Sequence, residues 1–143
     1  MSLLDFEFIS VIGKGAFSRV EKVKRKEDAK IYALKKVAFA KLTEKEKANA
    51  LNEVRLIASL SSDYIISFKQ SFFSSNTLCI VMEYAPRGDL LSFIEKQKKE
   101  KIKINEQTIW HYTLCIAKGL KILHDLNILH RDVKSANVFI IDD

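Results

Sequence analysis

The stretch His130-Arg131-Asp132-Val133-Lys134-Ser135-Ala136-Asn137 places a carboxylate, an ammonium and an amide close together in the chain. An acid can accept a hydroxyl proton, a nearby lysine can neutralise phosphate oxygens, and an amide carbonyl can ligate Mg2+, so phosphoryl transfer would use all three. The same residues also fit an ordinary polar loop, and on either reading His130 is expected to be structural. Gly13-Lys14-Gly15-Ala16-Phe17-Ser18-Arg19-Val20 adds a glycine-rich stretch between two predicted strands. That setting differs from the strand-to-helix context of a Rossmann fingerprint or a P-loop. A glycine-rich strand turn can fold over phosphates, or it can serve the turn alone. Ser18 stands where the usual pattern has a third glycine. It is expected to weaken loop closure only modestly, because it adds one small side chain where glycine lets backbone approach a phosphate freely.

Two further charged residues draw meaning from the elements that carry them. Along Ile31 to Val37 a period of two puts Ile31, Ala33, Lys35 and Val37 on one face of a strand. Lys35 thus sits among apolar neighbours, although a solvated strand lysine is the simpler alternative. Thr43-Glu44-Lys45-Glu46 is a capping box, so a helix is predicted from there to about Leu60. Ala50 and Ile57 flank Glu53 at helical spacing, which places its carboxylate on the apolar side, where a buried acid needs a partner. Lys35 and Glu53 make sense as a pair, and an exposed helix edge is the alternative for Glu53.

The remaining pattern supplies the frame. Phe6 to Ile12, Arg19 to Val23 and Ile31 to Val37 read as an antiparallel meander, and Ile65 to Phe73 and Thr77 to Glu83 as a hairpin turning at Ser74-Ser75-Asn76. Short helical spacing follows over Leu90 to Gln97. A longer helix runs from Asn105 to about Leu126, with Ile109, Ile116, Leu120 and Leu123 along one side. Val138 to Ile141 is β-like. Five strands around one helix, then helices, make an α+β arrangement: a small β-rich lobe followed by an α-rich piece.

Composition narrows the class. The chain has 143 residues, 48% of them hydrophobic, with 24 Lys+Arg against 18 Asp+Glu for a formal charge of +6. One domain with a real core is the expectation at this length. No apolar run approaches the ~20 residues of a membrane span, and no basic leader or cleavage site precedes Phe6. The chain is therefore expected in the cytoplasm, with cytoskeletal association or the nucleus as alternatives, and without membrane partners. Cys79 and Cys115 have neither zinc nor disulfide spacing and are expected to be reduced core residues. The basic stretches, such as Lys96 to Lys103, are interleaved with acids and read as solvated faces. A nucleic-acid binder would rest on charge alone, with no motif to accompany it.

Taken in order, the glycine loop, Ala33-Leu34-Lys35, helix Glu53, Met82-Glu83-Tyr84-Ala85 and the H-R-D-x-K-x-x-N loop resemble the eukaryotic protein kinases along essentially the whole chain. Lys134, two residues past Asp132, resembles the serine/threonine class. Asn52 to Leu56, Cys79 to Tyr84 and His130 to Phe139 are similar to the NIMA-related kinases. The resemblance implies a five-stranded N-lobe with one helix and a hinge over residues 1–85, and the start of the C-lobe through the catalytic loop over residues 86–143. It implies ATP and Mg2+ as cofactors and a protein Ser/Thr hydroxyl as substrate. The loop Ile12, Gly13, Lys14, Gly15, Ala16, Phe17 and Ser18 would cover the phosphates. Lys35 would hold the α- and β-phosphates while paired to Glu53. Val20, Ala33 and Phe139 would sandwich adenine, with Met82 as gatekeeper. Backbone at Glu83 and Ala85 would meet the adenine edge and Asp89 the ribose. Asp132 would be the base, Lys134 would steady the transferred phosphate, and Asn137 would bind Mg2+. Ile57 and Phe68 match the family's packed spine, with His130 at its base.

The sequence reaches Asp143, six residues past Asn137, without a D-F-G segment. Asp142 and Asp143 come too soon and lack the Phe-Gly to replace it. The 143-residue segment by itself is therefore expected to lack turnover and to leave Ile116 and Leu120 uncovered. The alternative function is a non-catalytic module that binds nucleotide or protein.

Overall fold

The computed structural model describes residues 1–141; Asp142 and Asp143 lie outside the described residues. It forms two compact units. Met1–Ser61 and Ile66–Tyr84 make the first, and Ser62–Ile65 with the described residues from Ala85 onward make the second.

In the first unit, β1 (Phe6–Lys14), β2 (Ser18–Arg25) and β3 (Ile31–Val37) form the expected meander. After α1 (Glu44–Ser59), β4 (Phe68–Ser74) and β5 (Thr77–Glu83) complete an antiparallel sheet in the order β1-β2-β3-β5-β4. β4 thus takes the edge, and β5 returns between it and β3. Ser75 and Asn76 both have positive φ, 44° and 61°, so a two-residue turn pairs Ser74 with Thr77 and fixes the hairpin. β4 begins later than the expected Ile65. The amide of Ser67 instead donates to the Glu83 carboxylate at 3.1 Å, and its carbonyl accepts the Glu83 amide at 2.9 Å.

Each face of the sheet carries a buried cluster. Phe6, Val23, Tyr32, Leu34, Cys79 and Val81 form one core. On the other face Val37, Val54, Leu78 and Ile80 pack with Ala50, Leu51 and Ile57 of α1 and with Phe68 and Met82. The α1 start is as predicted: Thr43 accepts from the Glu46 amide at 3.3 Å, and the Thr43 amide donates to the Glu46 carboxylate at 2.8 Å. A polar knot holds the β2–β3 turn. The Asp28 carboxylate accepts from the Arg25 guanidinium, from the Tyr32 hydroxyl at 2.7 Å and from the Lys30 amide at 3.1 Å. Arg25, first of all, holds the Asp28 carboxyl far below the ordinary carboxylate range. The knot's stabilisation is accordingly present at neutral pH and lost as acid protonates Asp28.

In the second unit, Asp89 caps α2 (Leu90–Glu100), and Asn105 caps α3 (Glu106–Asp125) by accepting the Thr108 amide at 2.7 Å. The expected strand over Val138 to Ile141 is instead a single bridge between Phe139 and Asp89. Backbone bonds of 2.8 Å from Leu90 to Val138 and from Ile140 to Gly88 complete it. Gly88, at φ +75°, gives the chain the left-handed turn it needs there. Along α3, Leu123 is buried and Ile116 and Leu120 are half-buried, so the expected exposure of the last two does not hold. The uncovered apolar residues are Ile109, Trp110 and Leu114. Helical spacing identified the apolar residues but not which arc of α3 the rest of the unit covers.

Gly119 is buried where α3 meets Tyr64, and a Cβ there would stand 2.9 Å from the Tyr64 carbonyl oxygen. A backbone atom cannot rotate away. Overpacking of about 1–3 kcal/mol therefore outweighs the roughly 1 kcal/mol helix gain of alanine over glycine. Gly119→Ala should lower the thermal unfolding midpoint; an unchanged or higher midpoint would mean that Ser62–Ile65 yields freely.

Candidate functional site

Strand register assembles one face of the first unit. Val20 lies opposite both Gly13 and Lys35, and Ala33 lies opposite both Lys22 and Met82. Directly opposed residues share a face, so Val20, Ala33, Lys35 and Met82, separated by up to sixty-odd positions in sequence, form adjoining rows. The glycine loop is the β1–β2 hairpin, closed by the Gly15 amide donating to the Ser18 carbonyl at 2.8 Å and tied to the end of β3 by the Ala38 amide on the Phe17 carbonyl at 2.9 Å. A Cβ on Gly13 would touch Val20 at 3.4 Å, and one on Gly15 would come within 2.8 Å of the Ser18 hydroxyl. With serine at position 18, a small residue at 15 is what the turn accommodates. Ile12, Lys14, Ala16 and Phe17 are exposed around it.

Lys35 Nζ meets Glu53 Oε1 at 3.1 Å, as the pairing reading expects. The burial reading fails: the Glu53 side chain is 57% exposed, because Val54 and its i−4, i−3 and i+3 neighbours face the sheet and leave Glu53 at the stripe's edge. An exposed pair contributes only about 0.2–1 kcal/mol, so its effect is to orient the ammonium rather than to hold the fold. The Glu83 amide donates to the Ser67 carbonyl at 2.9 Å. The carbonyl of Ala85 accepts the Gly88 amide at 3.2 Å.

The second unit carries the loop with the acid. Asp132 Oδ2 accepts from Lys134 Nζ and from Asn137 Nδ2, both at 2.9 Å, and Asn137 Nδ2 also donates to the Asp132 carbonyl at 2.9 Å. The amide nitrogen of Asn137 is thus the engaged end, and Oδ1 is the end left for a cation. Lys134 first and Asn137 second hold the Asp132 carboxyl below its usual range. Arg131 has φ 65°, a left-handed conformation that costs a non-glycine residue about 1–3 kcal/mol and gathers at functional loops. The Asp132 amide donates to His130 Nδ1 at 3.3 Å. His130 is exposed, so the packed role expected of it at the base of a spine is not met; its ring supports the loop by that one bond. Ile57 and Phe68 do pack, in the core beneath α1.

Asp89 has a task that the sequence reading missed: its carboxylate accepts the Ser92 amide at 2.8 Å and the Ser92 hydroxyl at 3.0 Å as the α2 cap. Asp-x-x-Ser ahead of an apolar-periodic run was the available signal. Phe139, bridged to Asp89, is half exposed. Sequence reasoning also missed Lys22, whose Nζ lies 4.6 Å from the Tyr84 ring centroid, and Glu21, a buried carboxylate. Cys79 is fully buried, which pushes its thiol up, and Cys115 is half-buried; both are free. Among the described residues, no group of three or more His, Cys, Asp or Glu could cage a metal, and no helix is long and apolar enough to cross a membrane.

A glycine hairpin beside a face bearing a paired lysine, and a separate loop presenting Asp132, Lys134 and Asn137, are the features the sequence shares with protein kinase domains. Residues 6–143 match the protein kinase domain family, and the chain belongs to it. Relatives it resembles include serine/threonine-protein kinases of the Nek (NIMA-related) group. Mouse serine/threonine-protein kinase Nek1 is 36% identical over 92% of this chain and 11% of its own length. Probable serine/threonine-protein kinase nek3 of Dictyostelium discoideum is 38% identical over 94% and 12%. Xenopus laevis serine/threonine-protein kinase Nek9 is 37% identical over 92% and 14%. The chain spans about a tenth to a seventh of these three.

Proposed function

We propose that the protein of which these residues are part transfers the γ-phosphate of ATP to serine or threonine hydroxyls of a protein substrate. The observation that carries this reading is the Asp132 carboxylate held ionised between Lys134 and Asn137, 2.9 Å from each. An ionised acid on an exposed loop suits accepting the proton of an incoming hydroxyl, while Lys134 meets the negative charge of the phosphoryl group. Lys35, oriented by Glu53, holds the α- and β-phosphates, and the hairpin amides from Gly13 to Ser18 cover them. In the first unit Val20, Ala33 and Met82 share the face suited to adenine, with the backbone of Glu83 next to Met82 suited to its edge. The Asp89 carboxylate, though capping α2, is the group assigned to the ribose. Asn137 Oδ1 fits Mg2+, a hard cation that takes few protein oxygens and completes its shell with phosphate and water. When bound, Mg2+ neutralises phosphate charge.

The test is transfer of radiolabel from γ-labelled ATP to casein by the protein carrying its whole kinase domain. Mg2+-dependent label on serine and threonine is expected. Label on tyrosine alone would overturn the substrate class, and ATP binding without transfer would favour a non-catalytic module.

A further inference from the structure

Glu21 is the one charged residue in the buried core among the described residues, 4% exposed, and none of the roles assigned above uses it. Its partners are both cations. Oε1 lies 2.9 Å from Arg19 Nε, and Oε2 lies 2.7 Å from Lys36 Nζ, an ion pair with each. Arg19 and Lys36 lie directly opposite each other in the β2–β3 ladder, and Lys14 lies opposite Arg19 in β1. Three cations thus form a row across three strands, and like charges directly opposed weaken a sheet. A buried carboxylate reaching along β2 to Arg19 and diagonally to Lys36 of β3 offsets that repulsion.

The location gives the contact its meaning. Each partner of Glu21 is the sequence neighbour of a residue on the opposite face: Arg19 precedes Val20 and follows Ser18 at the end of the glycine hairpin, and Lys36 follows Lys35. Because side chains alternate, an anchor on Arg19 and Lys36 sets the twist with which Val20 and Lys35 project from the other side. The exposed Glu53 pair is too weak to do this alone. We propose that Glu21 is a positioning residue: by clamping Arg19 to Lys36 on one face of the sheet, it fixes the glycine hairpin and Lys35 in register on the other. This inference rests on the nucleotide-binding reading of Val20 and Lys35.

The test uses the full-length protein with Glu21→Gln, which keeps the side chain's shape and removes its charge. The KM for ATP should rise about tenfold with kcat largely kept, as the loss of one buried charge-assisted contact implies. Adding Lys36→Met to Glu21→Gln should recover much of that rise, because one of the two opposed cations is then gone. Asp28→Asn, which disturbs the polar knot at the far end of the same strands, should lower the thermal midpoint without moving KM. Hydrogen exchange supplies a readout independent of activity: Gly15 to Arg19 amides should exchange faster in Glu21→Gln, with β4–β5 amides unchanged. An unchanged KM and unchanged hairpin exchange would overturn the proposal, as would equal KM shifts from Asp28→Asn. Faster hairpin exchange in a protein whose wild type binds no ATP would keep the clamp and defeat the nucleotide reading instead.

Discussion

Asp132→Asn is expected to lower γ-phosphate transfer by roughly 10²–10⁴-fold, the usual range for loss of a positioned proton acceptor. The substitution keeps the side chain's shape and an oxygen that can accept from Asn137, so the loop should hold its path. What it removes is the negative charge that draws Lys134 to 2.9 Å and the basic oxygen that would take the hydroxyl proton. ATP binding should change only a few-fold on the same ground, since the residues assigned to the nucleotide are left intact. In the wild type the carboxyl is held below its ordinary range by Lys134 and Asn137. It is therefore ionised throughout neutral and mildly acidic conditions, and the acid limb of the rate profile should not reflect an ordinary carboxylate. Radiolabel transfer and calorimetric ATP titration on the protein with its whole kinase domain measure both effects. Full turnover by Asp132→Asn would remove this residue from the chemistry.

Lys35→Met is expected to cost roughly 10²-fold or more in transfer, the size seen when a preorganised electrostatic contact is lost. Methionine keeps much of the apolar stem that lies among Val20, Ile80 and Ala33 and removes the ammonium. Stability should barely move, because the exposed pair with Glu53 contributes at most about 1 kcal/mol. Activity and unfolding midpoint should thus separate. A large fall in the midpoint with little loss of transfer would make Lys35 a structural residue.

Much of this was legible beforehand, for local reasons. The α1 start at Thr43, the β5 limits and the hairpin, expected to turn over Ser74-Ser75-Asn76 and found to turn at Ser75-Asn76 alone, depend on contacts within a few residues, and their signals lie in short stretches of sequence. The pairing of Lys35 with Glu53 was also legible, as an argument from two apolar faces that each carried one charge. That argument was right about the partner and wrong about burial, since the edge of a helical stripe is decided by how the helix rolls on the sheet. His130 shows the same limit: its type and position pointed to packing, and the structure leaves it exposed with one bond to the Asp132 amide.

By itself the sequence determined which chemical groups are present and in what order: the glycine turn, the strand lysine, the helix glutamate, and the Asp132-Lys134-Asn137 loop. Those are properties of residue type and short spacing. Only the tertiary structure decided that β5 lies between β3 and β4, that Phe139 bridges to Asp89, and that Glu21 is buried between Arg19 and Lys36. Each depends on which distant segments lie side by side. A one-residue change of register would move every side chain of a strand to the other face, and that register is set by burial of the whole sheet rather than by any one stretch of chain.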